Sequence, residues 1–280
     1  MAVKIITDSV ADLPPEVARE LGITVVPLNV RFGDEVYRDG IDLTAEQFYE
    51  KLKYSQALPV TSVPSPATFV EAYDRLAEET DEILTVILSS KLSGTYEVAL
   101  QSVGLMKQKC RVEVIDSQWA VMAQGFVVIT AARAAQAGAS LDEVMDITHR
   151  NISRVDMHAA FDTLEYLKRG GRIGKAQALL GSMLRVNPII TIKDGVVEPA
   201  GRARSRAKAI EYLYNFAMNY SYIEEMAVED AACPDDAEAL VEQLSHKFPK
   251  DRIYRSRTTP VIGTHTGPGL LLVAILGDRE

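Results

Sequence analysis

Cysteine, tryptophan and histidine are scarce in this 280-residue chain, at two, one and four residues. Cys110 and Cys233 stand far apart and neither belongs to a CxxC pair, which argues against a disulfide framework or a zinc site and leaves two small reduced thiols. His149, His158, His246 and His265 show no i, i+4 spacing and no cysteine neighbours, so no metal is expected. No apolar run approaches the roughly 20 residues that span a bilayer, and the first residues lack a charged-then-apolar leader. A cytoplasmic protein without stable membrane insertion is expected. Low-complexity linkers and fixed-period repeats are also missing, which argues against tethered domains and solenoids. Positive charge is in deficit, with 30 Lys and Arg against 39 Asp and Glu for a net −9, so the chain repels phosphate backbones and no nucleic-acid partner is expected.

What is present is ordinary globular usage, 47% hydrophobic and 25% charged, in a chain longer than one core usually fills. Two domains follow. The β-branched run from Val3 to Thr7 hands over through Asp8-Ser9 to a Pro14-Pro15 helix start, and Gly22 ends that helix. A hairpin is expected around Gly33-Asp34 at the edge of the first sheet, with Asp42 capping the next helix. Ser65-Pro66 opens a helix, and the unbroken apolar run from Ile83 to Leu88 reads as a central parallel strand covered on both faces. Ser140 with Glu143 forms a capping box. Beyond it the pattern changes to a hairpin at Asp194-Gly195 and a mixed run of strands and helices. The expected architecture is α/β. Residues 1–155 form a mostly parallel, Rossmann-like sheet with helices on both faces, and residues 156–280 form a mixed α/β domain.

Ligands of open parallel sheets sit beyond the carboxyl ends of the strands, and three such ends carry hydroxyls: Ser9, the cluster from Ser89 to Thr95, and Ser117. Thr61 and Ser62 join them from a loop. Ser93-Gly94 begins a helix, where hydroxyl, backbone N–H groups and helix dipole favour an anion, although Ser93 or Ser90 can equally serve as a plain cap. Nucleophilic elbows need glycine at 91 and 95, but Lys91 and Thr95 stand there. The run from Gly170 to Ala176 is one residue short of a phosphate loop, and Ala176 cannot ligate magnesium. A helix cap with a tight turn accounts for its glycines, and Arg172 can face an anion. Arg202, Arg204, Arg206 and Lys208 form the main basic cluster, and Gly263 to Gly269 reads as a glycine-rich turn bearing His265.

Thr7-Asp8-Ser9, Thr61-Ser62-x-Pro64-Ser65-Pro66, Ser89-Ser90-x-Leu92-Ser93-Gly94-Thr95-Tyr96, Asp116-Ser117, Leu164-x-x-Leu167, Gly170-Gly171-Arg172-Ile173 and His265-x-Gly267-Pro268-Gly269 together resemble the DegV family of fatty-acid-binding proteins. Their order spans nearly the whole chain. The resemblance implies a non-catalytic carrier that holds a long-chain fatty acid between two domains and has no cofactor. It implies carboxylate contacts from the residues matching Ser93 and Thr61, with His265 nearby. It also implies presentation of the acid to a separate fatty acid kinase, for which the basic cluster at Arg202, Arg204 and Arg206 is a docking candidate, with a solvated face as its plainer reading. Lys91, where glycine is common, and Asn187, where lysine often precedes proline, depart from the pattern at positions bearing on pocket entrance and docking. Two other readings compete: an enzyme using Ser93, Arg172 and His265 on a small phosphorylated or acidic metabolite, and a ligand-sensing module.

Overall fold

The computed structural model describes residues 2–180 and 186–279. In chain order the first half contains β1 (Lys4–Asp8), α1 (Pro15–Glu20), β2 (Thr24–Val26), β3 (Asn29–Phe32), β4 (Glu35–Arg38), α2 (Ala45–Tyr54), β5 (Val60–Ser62), α3 (Pro66–Ala77), β6 (Glu82–Ile87), α4 (Thr95–Val103), β7 (Arg111–Asp116), α5 (Val121–Gln136) and α6 (Leu141–Ile152). The second half contains β8 (Val155–Ala160), α7 (Glu165–Arg169), β9 (Asn187–Lys193), β10 (Val196–Ala203), α8 (Arg206–Met218), β11 (Tyr220–Asp230), α9 (Pro234–Leu244), β12 (Ile253–Arg257), α10 (Pro260–Thr266) and β13 (Leu271–Arg279).

Four strands form a parallel sheet in the order β2-β1-β6-β7, and a six-stranded mixed sheet runs β10-β9-β8-β13-β11-β12. The two-domain α/β expectation holds. Three local expectations do not. The hairpin β3-β4 leaves the parallel sheet and makes a small separate one, because β3 pairs on its other side with β5 from thirty residues later. Asp42 does not cap α2: its carboxylate takes a bidentate bond from Arg38, while Thr44 and Gln47 form the capping box. The segment around His265 is a helix, started by Pro260 at its first turn, rather than a turn.

Period-two alternation in the six-stranded sheet divides two cores. On β13, Leu271, Val273 and Ile275 face α8 and α9, while Leu272, Ala274 and Leu276 join the core shared with the parallel sheet. Between the sheets lies α5, whose sequence is apolar nearly all round and whose buried residues run from Val121 to Ala132 without a break. It packs on β1 and β6 on one side and on β8, β11 and β13 on the other. Its single buried amide, Gln124, donates to Thr7 Oγ1 at 3.1 Å and to Asp8 at 3.2 Å, so no donor is wasted in the core.

Chain direction across the parallel sheet reverses between β1 and β6, since the path goes from β1 to β2 on one side and returns to β6 on the other. The ends of these strands are joined by Asp8, which accepts from Val10 N at 2.9 Å and Leu88 N at 2.8 Å. Burial pushes this carboxyl up to about 6 despite those bonds. Such a reversal is where open α/β sheets leave a crevice.

α5 lies so close to the turn after β1 that a Cβ on Gly125 would sit 2.9 Å from the Ala11 carbonyl oxygen. Gly125→Ala is therefore expected to destabilise the protein by about 1–3 kcal/mol through overpacking, against the helix preference for alanine. Urea unfolding measures this, and an unchanged or raised midpoint would contradict the close approach.

Candidate functional site

A cavity of about 730 Å³, its open mouth included, occupies this crevice. Its floor is apolar and comes from both halves of the chain: Val10 and Leu88 beyond β1 and β6, Ala120 and Val121 at the start of α5, Met157 and Ala159 on β8, and Ile190 and Ile192 on β9. α10 adds Val261 and Ile262. Among the described lining residues only Thr61, Ser93, Arg172, His265 and Thr266 carry polar side chains, and Thr266 turns its hydroxyl back to the Ile262 carbonyl of its own helix.

The remaining four converge from distant segments. Thr61 Oγ1 and His265 Nε2 are hydrogen-bonded at 2.9 Å across 204 residues of sequence. Arg172 Nε donates to the Leu92 carbonyl at 3.1 Å and its Nη1 to the Gly170 carbonyl at 2.6 Å, which ties the turn after α7 to the loop that carries Ser93. Burial, with the Arg172 charge nearby, pushes His265 down to about 4, so its ring is neutral at pH 7. Arg172 is then the cationic group of the site.

Ser93 lies within 2.9 Å of Thr95 Oγ1 and accepts from Thr95 N, so it opens the α4 turn while facing the cavity. Its hydrogen bonds run to Thr95 rather than to His265, and His265 bonds Thr61; the two do not form a nucleophile–base pair among the described contacts.

A second, outer recess shares Thr61, Arg172 and His265 with the cavity and is walled by Leu58, Val60, Tyr166 and Arg169. The polar cluster is therefore a partition between an apolar interior and the surface. Of the other sequence candidates, Ser62 is exposed on β5 and Gly94 is exposed at the start of α4, and neither lines the cavity. Ser117 is buried and bonds Trp119 on both its N–H and its carbonyl, a turn-forming role away from the cavity.

With this geometry established, comparison with known proteins is informative. The DegV family model, described as that of an uncharacterised protein, matches residues 2–278. The chain belongs to the DegV family. A DegV domain-containing protein of Streptomyces coelicolor is 38% identical over 277 residues, covering 98% of both chains. Another, from Caldanaerobacter subterraneus subsp. tengcongensis, is 34% identical and covers 95% of both. Among solved structures, a Thermus thermophilus DegV family protein described for its fatty acid binding superposes with a TM-score of 0.90 at 34% identity, covering 99% of this chain and 100% of that one. DegV of Bacillus subtilis, titled a fatty acid binding protein, superposes at 0.89 with 32% identity, covering 99% and 100%.

The two departures from the family pattern are both engaged within the fold. Lys91 Nζ donates to the Asp194 carbonyl at 2.7 Å and Ser89 Oγ to that of Gly195 at 2.8 Å, so the β9-β10 turn is fastened to the Ser93 loop. Gly195, at φ 77°, leaves no room for a Cβ against Ser89 Oγ. Asn187 bonds the Phe161 carbonyl and Asp162, which fixes the start of β9 to the end of β8.

Sequence reasoning missed the contribution of α10 beyond His265, although Thr259-Pro260 is a helix-start signal. It also missed Gly170 as a packing residue. A Cβ there would lie 2.2 Å from His265 Nδ1, a nitrogen without a hydrogen-bond partner among the described residues. Gly170→Ala is accordingly expected to displace the imidazole, break its bond to Thr61 and raise its titration midpoint from about 4 towards the ordinary 6.5. NMR titration of His265 measures the shift; an unmoved midpoint in a folded variant would refute the contact.

Proposed function

We propose that this protein binds one long-chain fatty acid non-covalently, with the acyl chain in the apolar cavity between residues 1–155 and 156–280 and the carboxylate at Thr61, Ser93, Arg172 and His265. The single observation that carries the reading is the composition of the cavity wall, apolar throughout except for this one cluster at its outer side. The related proteins described as fatty acid binding support it, as does a 26% identical stearic acid-binding protein from Eubacterium ventriosum.

The energetics favour a chain-dominated interaction. Burying roughly 15 methylenes at about 0.8 kcal/mol each offers about 12 kcal/mol gross, before the costs of association and of ordering the chain. A hydrogen bond to the charged head adds about 1.5–3 kcal/mol, while an unpaired carboxylate in the interior would cost far more. The hydroxyls thus set where the head lies, and the methylenes supply most of the affinity.

We further propose that the protein is a carrier and that the head is presented through the outer recess to a partner enzyme such as a fatty acid kinase. The recess supports this by opening on Thr61, His265 and Arg172 from outside. Arg202 is exposed but donates from Nη2 to the Ala178 carbonyl at 3.1 Å, whereas Arg204 is exposed and available for docking. Arg206 is not, because its guanidinium is held by Asp236 at 2.7 Å and by the Gly269 carbonyl at 2.7 Å. No helix among the described residues is long and apolar enough to cross a membrane, and no His, Cys, Asp and Glu group among them suits a metal ion.

Mass spectrometry of the organic extract from protein purified out of a bacterial host, with no lipid added, tests the reading. A stoichiometric fatty acid is expected, and its absence would return the cavity to a small acidic metabolite. Ser93→Ala is expected to weaken retention by no more than about 3 kcal/mol while misplacing the head. Complete loss of lipid from a folded variant would contradict that order of contributions.

A further inference from the structure

α10 is seven residues long and carries the imidazole of the polar cluster, so His265 keeps its place only if both ends of the helix are held. Carboxylates fix the start: Asp12 accepts from Thr259 N at 3.2 Å and Asp39 from Val261 N at 3.0 Å. Past Thr266 the chain runs through Gly267, at φ 68°, to Gly269, at φ 87°, and both backbone polar groups of Gly269 are occupied. Its N–H donates to the Ala231 carbonyl at 2.7 Å, and its carbonyl accepts from Arg206 Nη1 at 2.7 Å. Arg206 opens α8, and its other donors go to neighbouring segments. Nε donates to Asp236 of α9 at 2.7 Å and Nη2 to Cys233 Sγ at 3.2 Å, while Nη1 also stands 3.7 Å from Asp162, between β8 and α7. A planar fork can serve all of these at once, which a single ammonium cannot.

We propose that Arg206 is a positioning residue for the polar cluster: by holding the Gly269 carbonyl it fixes the carboxyl end of α10, and with it the seat of His265 between Gly170 and Thr61.

The contact between the end of α10 and the stretch from β8 through α7 has no slack to absorb a loose loop. A Cβ on Gly269 would lie 2.2 Å from Asp162 Oδ2, one on Gly267 2.3 Å from the Tyr166 ring, and one on Gly170 2.2 Å from His265 Nδ1. Glycines at these points bring the two segments into direct contact, and close-packed contacts pass a displacement on rather than yielding to it. A shift of Gly269 therefore drives the chain against Asp162 and Tyr166 or draws it away from them. His265 depends on that contact twice. Its Nε2 bonds Thr61 of β5 at 2.9 Å and its ring abuts Gly170 at the end of α7, and neither neighbour belongs to α10. The imidazole keeps both only while the helix stays at one height along its axis. Arg206 thus acts on the cluster through α10, whatever ligand the cavity takes, and its charge is engaged inside the fold. Arg204, exposed two residues earlier, offers the comparison.

Proton NMR of the full chain, with no ligand added, tests the proposal. The NOE between Gly170 Hα and His265 Hε1 reads the seat directly, because one Gly170 hydrogen stands where the Cβ would press on the imidazole. Unlike a titration midpoint, it does not respond to the mere loss of a nearby charge. The His265 signal is assigned by its absence from His265→Gln. The NOE is expected in the parent and in Arg204→Met, and is expected to be lost in Arg206→Met. The proposal falls if the parent lacks the NOE, if Arg204→Met loses it too, or if a folded Arg206→Met keeps it at parental intensity. The last result would leave Arg206 a stabilising role alone, however far the melting temperature dropped. Should Arg206→Met not fold, Arg206→Lys decides by the same signal. An ammonium cannot reach Gly269, Asp236 and Cys233 together, so a weakened NOE is expected, and parental intensity would overturn the positioning role.

Discussion

A helix buried on every side is the constraint from which the rest of this structure follows. Because α5 is covered by a sheet on each flank, its buried side chains are apolar except for Gln124, whose amide N–H groups are bonded, and Thr130, whose hydroxyl donates to the Val127 carbonyl, and its backbone comes closest to the turn after β1 where Gly125 stands. The two sheets are thereby held at the spacing of one helix diameter. At the amino end of α5 the cavity remains between Val121, the strands that converge there and α10. At the other end, Arg133 reaches Glu225 of β11 and the Tyr254 hydroxyl, which closes the gap with a charged clamp.

The polar cluster solves an electrostatic problem set by the whole chain. A protein of net charge −9 does not attract anions at long range, so any preference for one must be local. Arg172 supplies it at the partition between cavity and recess, and its charge together with burial keeps His265 neutral. The imidazole then serves as a hydrogen-bonding wall rather than as a second cation. Asp8 and Asp39 work in the opposite sense, holding the wall amides of Val10, Leu88 and Val261 without a cation, and burial raises both carboxyls.

Much of this fold was legible because its signals are local. The apolar run of β6, the Ser140 and Glu143 capping box and the Asp194-Gly195 turn each state their structure within a few residues. α10 was hidden for a physical reason: Gly263 and Gly267 look like turn residues, but both are required because Phe48 and Tyr166 press against the helix where a Cβ would lie. The small β3-β5 sheet was hidden because pairing partners thirty residues apart leave no local mark. Within the site, Thr61, Ser93, Arg172 and His265 could be named from motif order alone, yet no spacing says that Thr61 and His265 touch. Asp8, Asp12 and Asp39 follow strands and read as ordinary turn or cap residues, and only burial distinguishes them.

The bond between Thr61 and His265 has a consequence in time as well as in space. Chains leave the ribosome amino end first, and the small β3-β5 sheet that carries Thr61 can form long before α10 exists. The partition between cavity and recess is completed only when α10 has emerged and packed. A nascent chain that lacks α10 thus carries Thr61, Ser93 and Arg172 without His265 and without the finished partition, and a protein shortened by a premature stop before α10 would keep a folded-looking first sheet with an open, unguarded crevice.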